Sequence, residues 1–146
     1  MATYGPLIDD GSQCISGFDA RNSSITGTTL NGPNGSGQFL VVGLSTTVDR
    51  TVNLTTLAGM RPYGVLQNKP STGLAADVGI MGITKAIAGA AITRGSEVMT
   101  STLGGMLIAY SSAANQYSCG RALESASSGQ VFTCAWYSFG AGAQQE

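Results

Sequence analysis

Histidine is absent from this 146-residue chain, and charged side chains make up only 10% of it. Typical soluble domains carry about 25% charged residues. Without histidine the chain lacks the side chain most used for proton transfer near neutral pH and the commonest metal ligand. No P-loop, Ser-x-x-Lys or Gly-x-Ser-x-Gly motif compensates for its absence. We therefore expect a protein that is not an enzyme and has no catalytic residues, no cofactor and no metal.

Basic residues are also scarce: seven Lys and Arg stand against eight Asp and Glu, for a net charge of −1. Nucleic-acid binding relies on clustered Lys and Arg, whereas these are scattered, so we expect no nucleic-acid partner. Residues 98–120 carry no charge, but polar residues and a Gly pair interrupt them, which argues against a membrane span. The N-terminus lacks the basic and apolar regions of a signal peptide.

Cysteine is rare and odd in number, with Cys14, Cys119 and Cys134 in no zinc-binding spacing. A hairpin that turns at Ser128-Gly129 would pair Cys134 with Leu123. The sulfurs of Cys119 and Cys134 would then lie roughly 13 Å apart, too far for a disulfide. We expect all three cysteines to be reduced, as buried structural thiols.

Residues 1–37 are poor in apolar side chains, and the stretch from Asn22 to Gln38 is mostly Gly, Asn, Ser and Thr. Such a segment cannot bury enough surface to offset its ordering entropy by itself. It is either a passive tail or an extended arm that becomes ordered on a partner. Spaced apolar residues favour the arm, with these as its expected anchors: Tyr4, Leu7, Ile8 and Phe18.

Residues 38–138 read as a series of short strands. Apolar and polar residues alternate from Thr47 to Leu57, and glycines at Gly95 and Gly104-Gly105 supply turns. The stretch around Val78 to Ile87 also alternates between two faces. Many short strands with regular turns predict an all-β fold, a small β-barrel or sandwich, followed by a flexible tail over residues 139–146.

The stretch RPYGVLQNKPSTG (Arg61–Gly73) predicts a short strand that stops abruptly. Gln67 and Asn68 can satisfy backbone groups where the strand ends, and Pro70 prevents the ladder from continuing. One short helical turn is predicted between Asn68 and Ala76, the only helical turn expected in the fold.

Two further groups of residues leave alternatives open. Trp136, Tyr137 and Phe139 cluster at the last strand, where they could form core, a subunit contact or a platform for stacking a sugar. Arg121 and Glu124 could form an ion pair at an interface or lie in solvent.

Three stretches occur in order: PYGVLQNKP (Pro62–Pro70), GITKAIAGAAITRGSEV (Gly82–Val98) and GRALESASSGQVFTCAW (Gly120–Trp136). Together they resemble the capsid cement, or head-decoration, proteins of tailed bacteriophages, over roughly residues 60–136. The turn that often carries Asp after its Gly in that family reads Gly95-Ser96-Glu97 here. The resemblance implies a compact β-barrel that binds the outside of an assembled capsid.

The implied function is that of a structural virion protein that stabilises the expanded head. Its expected partners are the major capsid protein and neighbouring copies of itself, as a trimer or, second, a dimer, contacted through the arm anchors and through Trp136 and Tyr137. The expected location is the outer capsid surface of a virion made in the cytoplasm of a host bacterium. The alternatives are another virion β-module, such as a tail or fibre component that binds a glycan or host surface, and a hydrolase with a Ser–Lys pair.

Overall fold

The computed structural model describes residues 37–59, 61–68, 70, 75–112 and 116–137, together with the backbone of residues 13–19. This part of the chain contains no helix, and the predicted all-β fold is confirmed. Its nine strands are β1 (Gln13–Asp19), β2 (Val41–Leu44), β3 (Val52–Leu54), β4 (Gly64–Leu66), β5 (Ala75–Ile87), β6 (Glu97–Thr100), β7 (Leu107–Ala109), β8 (Gly120–Ala122) and β9 (Val131–Trp136).

Eight of these strands form one antiparallel path in the order β3-β2-β4-β5-β9-β8-β6-β7, and β1 adds to β5 beside that path. The 13-residue β5 is the longest strand described, and it serves both halves: residues 78 and 79 pair with β4, and residues 82–87 pair with β9. Because β1 falls inside the predicted arm, part of that segment is a strand that pairs with β5. The predicted domain boundaries at 37 and 138 stay predictions.

The second half of the sheet curls into a half-barrel. Its last strand, β7, returns to the chain just after β5, where Ala88 forms a parallel bridge to Leu107. The N–H of Gly89 also donates to the carbonyl of Leu107 at 2.7 Å. The edge of β7 is therefore partly paired, which limits the exposed edge that small sheets must protect.

Two apolar clusters lie on opposite faces of the sheet at β2. Val41 and Val42 are adjacent in β2 and fully buried, yet Val41 belongs to one cluster and Val42 to the other. Because neighbouring side chains point to opposite faces of a strand, β2 must be covered on both faces. This explains why the sequence there is a continuous apolar run and not an alternating one. The cluster of Val41 also contains Phe132 and Trp136 of β9, and the cluster of Val42 also contains Leu66 of β4.

The abrupt end of β4 is a side-chain cap. Asn68 Nδ2 donates to the carbonyl of Ala75, and the N–H of Asp77 donates to Asn68 Oδ1, both at 3.0 Å. Gln67 Nε2 donates to the carbonyl of Val65 at 2.8 Å and to Thr84 Oγ1 at 2.9 Å. The predicted role of Gln67 and Asn68 is thus confirmed. The predicted helical turn falls largely outside the described residues, but Ala75 and Ala76 at its end belong to β5.

The strand predicted from Thr47 to Leu57 is shorter than expected. Val52 and Leu54 are buried, as the alternation predicted, but Val48 is exposed. Arg50 has a positive φ of 54°, which a strand does not allow. Residues 45–51 therefore form the connection between β2 and β3. The alternating pattern extended into this loop by coincidence of composition.

The register of β8 against β9 differs by one residue from the predicted hairpin. Cys134 pairs with Ala122 and not with Leu123, and just beyond this pair the Glu124 carboxylate accepts the N–H of Thr133 in place of a backbone carbonyl. The chain then leaves β9, and Ala126 bridges to Ile92. Cys119 and Cys134 are buried and free, as predicted; Cys14 lies where only the backbone is described.

Burial raises the pKa of Cys134 from an ordinary 9.0 to about 12. Burial, followed by the nearby Cys134 thiol, also raises the pKa of Cys119. In the unfolded chain these thiols ionise near pH 9, whereas the folded protein holds them neutral. Their contribution to stability is therefore complete below pH 9 and is lost as the pH rises towards 12.

We expect the free energy of unfolding of the wild type to fall more steeply above pH 9 than that of Cys134→Ala. The difference in slope should approach about 1.4 kcal/mol per pH unit, the value for one proton. Urea unfolding at pH 8, 9, 10 and 11 measures it. Parallel curves for the two proteins would show that Cys134 titrates normally in the fold.

Gly64 of β4 is required by a close approach of two strands. A Cβ at this position would lie 2.5 Å from the carbonyl oxygen of Gly79 and 2.5 Å from Val78 Cγ1. We expect Gly64→Ala to destabilise the protein by about 1–3 kcal/mol, as overpacking does elsewhere. Gly43→Ala is the matched control in neighbouring β2, because its Cβ would meet only Thr55 Cγ2 at 3.9 Å. Equal urea midpoints for the two variants would contradict this account.

Candidate functional site

The surface of the half-barrel carries a face with exposed apolar residues, here called the outer face. It is formed by β5, β9, β8 and β6 together with the residues that directly follow β8 and β9. Its members are Met81, Ile83, Lys85, Glu97, Arg121, Leu123, Thr133, Ala135 and Tyr137. Four of them are large apolar side chains with about two fifths to one half of their surface exposed: Met81, Ile83, Leu123 and Tyr137.

Strand pairing makes this face continuous. Ile83 of β5 is opposite Ala135 of β9, Ala135 is opposite Arg121 of β8, and Arg121 is opposite Glu97 of β6. One row of cross-strand neighbours therefore crosses four strands. A second row joins Lys85 to Thr133. Residues that face each other across strands lie about 5 Å apart, so these side chains form one surface.

The charges on the outer face balance. Arg121 lies 3.6 Å from the Glu97 carboxylate, with both side chains well exposed, so this pair adds little stability. Arg121 thus pairs with Glu97, and Glu124 has a different role in the described structure. Hydrogen bonds from Thr133, and more weakly the charge of Lys85, lower the pKa of Glu124. Lys85 and Arg121 on the outer face are thus matched by Glu97 on the face and by Glu124 beside it, so neither sign of charge dominates.

Trp136 and Tyr137, both predicted interface residues, have different surroundings. Trp136 is only 2% exposed and belongs to the core, where its Nε1 has no hydrogen-bond partner among the described residues. Tyr137 lies at the margin of the outer face, and its hydroxyl donates to the carbonyl of Gly120 at 3.1 Å. A ring that stacks on a sugar must be exposed, so Tyr137 retains that possibility and Trp136 does not.

The predicted arm anchors Tyr4, Leu7 and Ile8 lie outside the described residues. Phe18 lies in β1, where its backbone position pairs with Ala76 of β5. The residues that sequence reasoning missed are Met81, Ile83 and Leu123. The sequence of β5 did contain a signal for this surface. Apolar residues occur on both faces of the strand, although burial in the core requires them on only one face.

Other exposed large apolar side chains of the described segments lie away from the outer face. They are Leu44, Val48, Leu57 and Leu103, at the end of β2 and in connecting loops. Isolated exposed apolar residues are common on protein surfaces, whereas a continuous group marks an interaction site. This distinction favours the outer face as the candidate site.

Within the residues that the structure describes, no group of His, Cys, Asp and Glu has the arrangement of a metal site. Across the same residues, no helix has the length and apolarity needed to span a membrane.

No protein-family model matches the chain, and no curated protein matches it either. The fold is similar to a solved structure described as the head fiber gp8.5 N base in bacteriophage phi29. The TM-score is 0.61 at 17% sequence identity, over 86% of this chain and 96% of that one. At this identity the likeness shows a shared fold. The resemblance to cement proteins over residues 60–136 stays a prediction.

The chain has a single tryptophan, so its fluorescence reports Trp136 alone. Because the ring is buried, we expect iodide to quench the native emission at least fivefold less than that of the urea-unfolded chain. Added oligosaccharides should leave the emission unchanged. Native quenching equal to that of the unfolded chain would instead place Trp136 at the surface, where its ring could stack on a sugar.

Proposed function

We propose that this chain is a structural protein of a tailed-phage virion that binds the outer surface of the capsid and stabilises the expanded head. The observation that supports this most is the fold shared, over nearly the whole of both chains, with a head fiber base of bacteriophage phi29. The ordered motifs that resemble cement proteins support it independently from the sequence.

The outer face provides a contact surface suited to this function. Its apolar residues would gain free energy on leaving water, at about 25 cal/mol for each Å² of apolar surface buried. Burying the exposed Arg121–Glu97 pair would cost desolvation free energy, whereas leaving it in water at the rim of the contact would not. Many weak contacts of this kind, repeated over a symmetric shell, are sufficient for high occupancy when several contacts are linked.

The N-terminal arm adds a second contact in this proposal. Tyr4, Leu7 and Ile8 would pack against neighbouring capsid or self subunits once the protein is on the shell. We propose a trimer as the assembled form, with a dimer as the second choice. The proposal involves no enzymatic activity.

A second candidate function is the base of a head fibre, and the fold similarity to the phi29 head fiber base favours it specifically. In this second candidate, the chain would also contact the capsid and would carry a further segment that projects from the shell. Electron microscopy of the native particle distinguishes the two, because a decoration protein shows only density close to the shell.

We expect Ile83→Lys to weaken binding to heads by at least tenfold, because a buried lysine must lose its water and an apolar contact is lost. A tenfold change corresponds to about 1.4 kcal/mol, less than the usual value of one buried isoleucine. Co-sedimentation with heads of the same phage, prepared without this protein, measures the apparent Kd.

The matched control is Leu57→Lys, which places the same charge at an apolar residue that is 63% exposed and lies off the outer face. Both variants should keep the urea midpoint of the wild type, since neither side chain is in the core. Equal binding by Ile83→Lys and the wild type would remove the outer face from the proposal. Absence of binding by the wild type itself would contradict the proposed function.

A further inference from the structure

Tyr137 is the most exposed aromatic residue among the described side chains, and three hydrogen bonds hold it in place. Its backbone N–H donates to the carbonyl of Cys119 at 3.2 Å, and its hydroxyl donates to the carbonyl of Gly120 at 3.1 Å. Because the one hydroxyl proton goes to Gly120, the Ser118 hydroxyl is the donor in its 3.2 Å bond to the Tyr137 oxygen. Both ends of the residue are therefore tied to β8 and the residues directly before it.

These bonds determine how the ring of Tyr137 lies. The carbonyl of Gly120 is at the level of the sheet backbone, so a hydroxyl that binds it cannot stand away from the sheet. The ring therefore lies along the sheet from β9 towards β8, and its exposed fraction of 37% agrees with one open face. A side chain that is already held loses little rotamer freedom when a ligand binds it.

The ring of Tyr117 shows the contrast. The guanidinium of Arg61 lies 4.8 Å from its centroid, so a cation already occupies a face of that ring. Among the described residues, no cation lies over the ring of Tyr137 in this way. The open face of Tyr137 is therefore available for stacking.

Arg121 and Glu97 lie beside this ring with unused hydrogen-bonding capacity. Arg121 is opposite Ala135, two residues before Tyr137 on the same face, so Arg121 and Tyr137 are diagonal cross-strand neighbours about 7–8 Å apart. The side chains of Arg121 and Glu97 are 57% and 41% exposed, and their separation of 3.6 Å is too long for a hydrogen bond. Within the described segments neither side chain has another hydrogen bond. Their donors and acceptors are therefore available to a ligand.

The combination matches a ligand that has an apolar face and a rim of hydroxyl groups. A hexopyranose has this form, because its C–H groups make an apolar face and its hydroxyl groups project from the ring edge. Stacking on an aromatic side chain requires only an open ring face. A hydroxyl group both donates and accepts, so one sugar can accept from Arg121 and donate to Glu97.

Charge complementarity favours a neutral sugar at this position. The guanidinium of Arg121 and the carboxylate of Glu97 lie side by side with opposite charges, so the pair attracts neither anions nor cations strongly. The carboxylate of an acidic sugar would be attracted by Arg121 and repelled by Glu97. A neutral sugar gains both hydrogen bonds without this opposition.

We propose that Tyr137 is the centre of a binding site for a neutral hexopyranose, which stacks on the open face of the ring and hydrogen-bonds to Arg121 and Glu97. The site goes beyond the proposed function and does not rest on it, because the free chain already holds all three residues in place. One ring with two polar partners binds a single sugar weakly. Repetition of the site on a particle would raise the apparent affinity for a polysaccharide.

Saturation-transfer NMR tests the site with four neutral probes: the methyl glycosides of glucose, galactose, mannose and N-acetylglucosamine, each at 20 mM. At least one probe should receive saturation from the wild type, most strongly at the C–H protons of one ring face. Tyr137→Leu should weaken the apparent affinity at least fivefold, because it removes the stacking surface. The matched control Tyr63→Leu removes a ring that packs against the cluster of Val42, and it should bind like the wild type. No saturation of any probe, or equal binding by Tyr137→Leu, would overturn the proposal.

A second measurement uses the wild-type sequence. The chain has five tyrosines, so labelling with 3-fluorotyrosine gives one fluorine signal for each, and Tyr137→Phe identifies the signal of Tyr137 by its loss. A probe that binds should shift this signal and leave that of Tyr63 in place. Trp136 lies in the core, so its emission should not change. A probe that shifts other signals and not that of Tyr137 would overturn the proposal.

Methyl glucuronide tests the role of charge, because it differs from methyl glucoside by a carboxylate in place of the hydroxymethyl group. We expect the glucuronide to bind no more than threefold tighter than the glucoside. A larger preference would show an anion site at Arg121 and overturn the assignment of a neutral sugar. Binding to heads is a separate measurement: a wild type that binds heads but no probe would overturn this inference alone, and one that binds sugar but not heads would contradict the proposed function alone.

Discussion

The fold depends on β5, because this one strand holds the two halves of the sheet in register. Its first half pairs with β4 and β1, and its second half pairs with β9. Adjacent residues near its end, Ala86 and Ile87, belong to different apolar clusters. A shift of β5 by one residue would turn Ile83 and Lys85 towards the interior and Thr84 and Ala86 towards solvent. The clusters therefore stabilise a single register together, and neither half of the described sheet has a core independent of β5.

The same strand creates the candidate site. One face of β5 supplies the core, and its opposite face carries Met81, Ile83 and Lys85 into the outer face. β9 and β8 continue this surface in register, so its shape is determined by strand pairing and not by flexible loops. Strand pairing holds the backbone of this face, so the backbone loses little conformational entropy when the face binds a partner.

The fold shared with a phage head fiber base and the sparse charge of the chain are independent observations. A fold by itself is compatible with many functions, so the function must be argued from the surface. Here that surface is apolar, charge-balanced and continuous.

The sequence by itself determined the fold class and the way in which β4 ends, because both depend on local chemistry. Alternation and glycine turns indicated the all-β fold, and the side chains of Gln67 and Asn68 indicated how β4 ends, because both effects act between residues near in sequence. The tertiary structure alone decided which patterns become strands. Val48 and Arg50 alternate like Val52 and Leu54, but Val48 is exposed and Arg50 has a positive φ. Only the tertiary structure brought four residues of four strands into one row: Ile83, Ala135, Arg121 and Glu97. Pairing between strands that are distant in sequence depends on packing that no local pattern encodes. The tertiary structure also set the register that places Cys134 opposite Ala122, one residue away from the register that a turn at Ser128-Gly129 predicts.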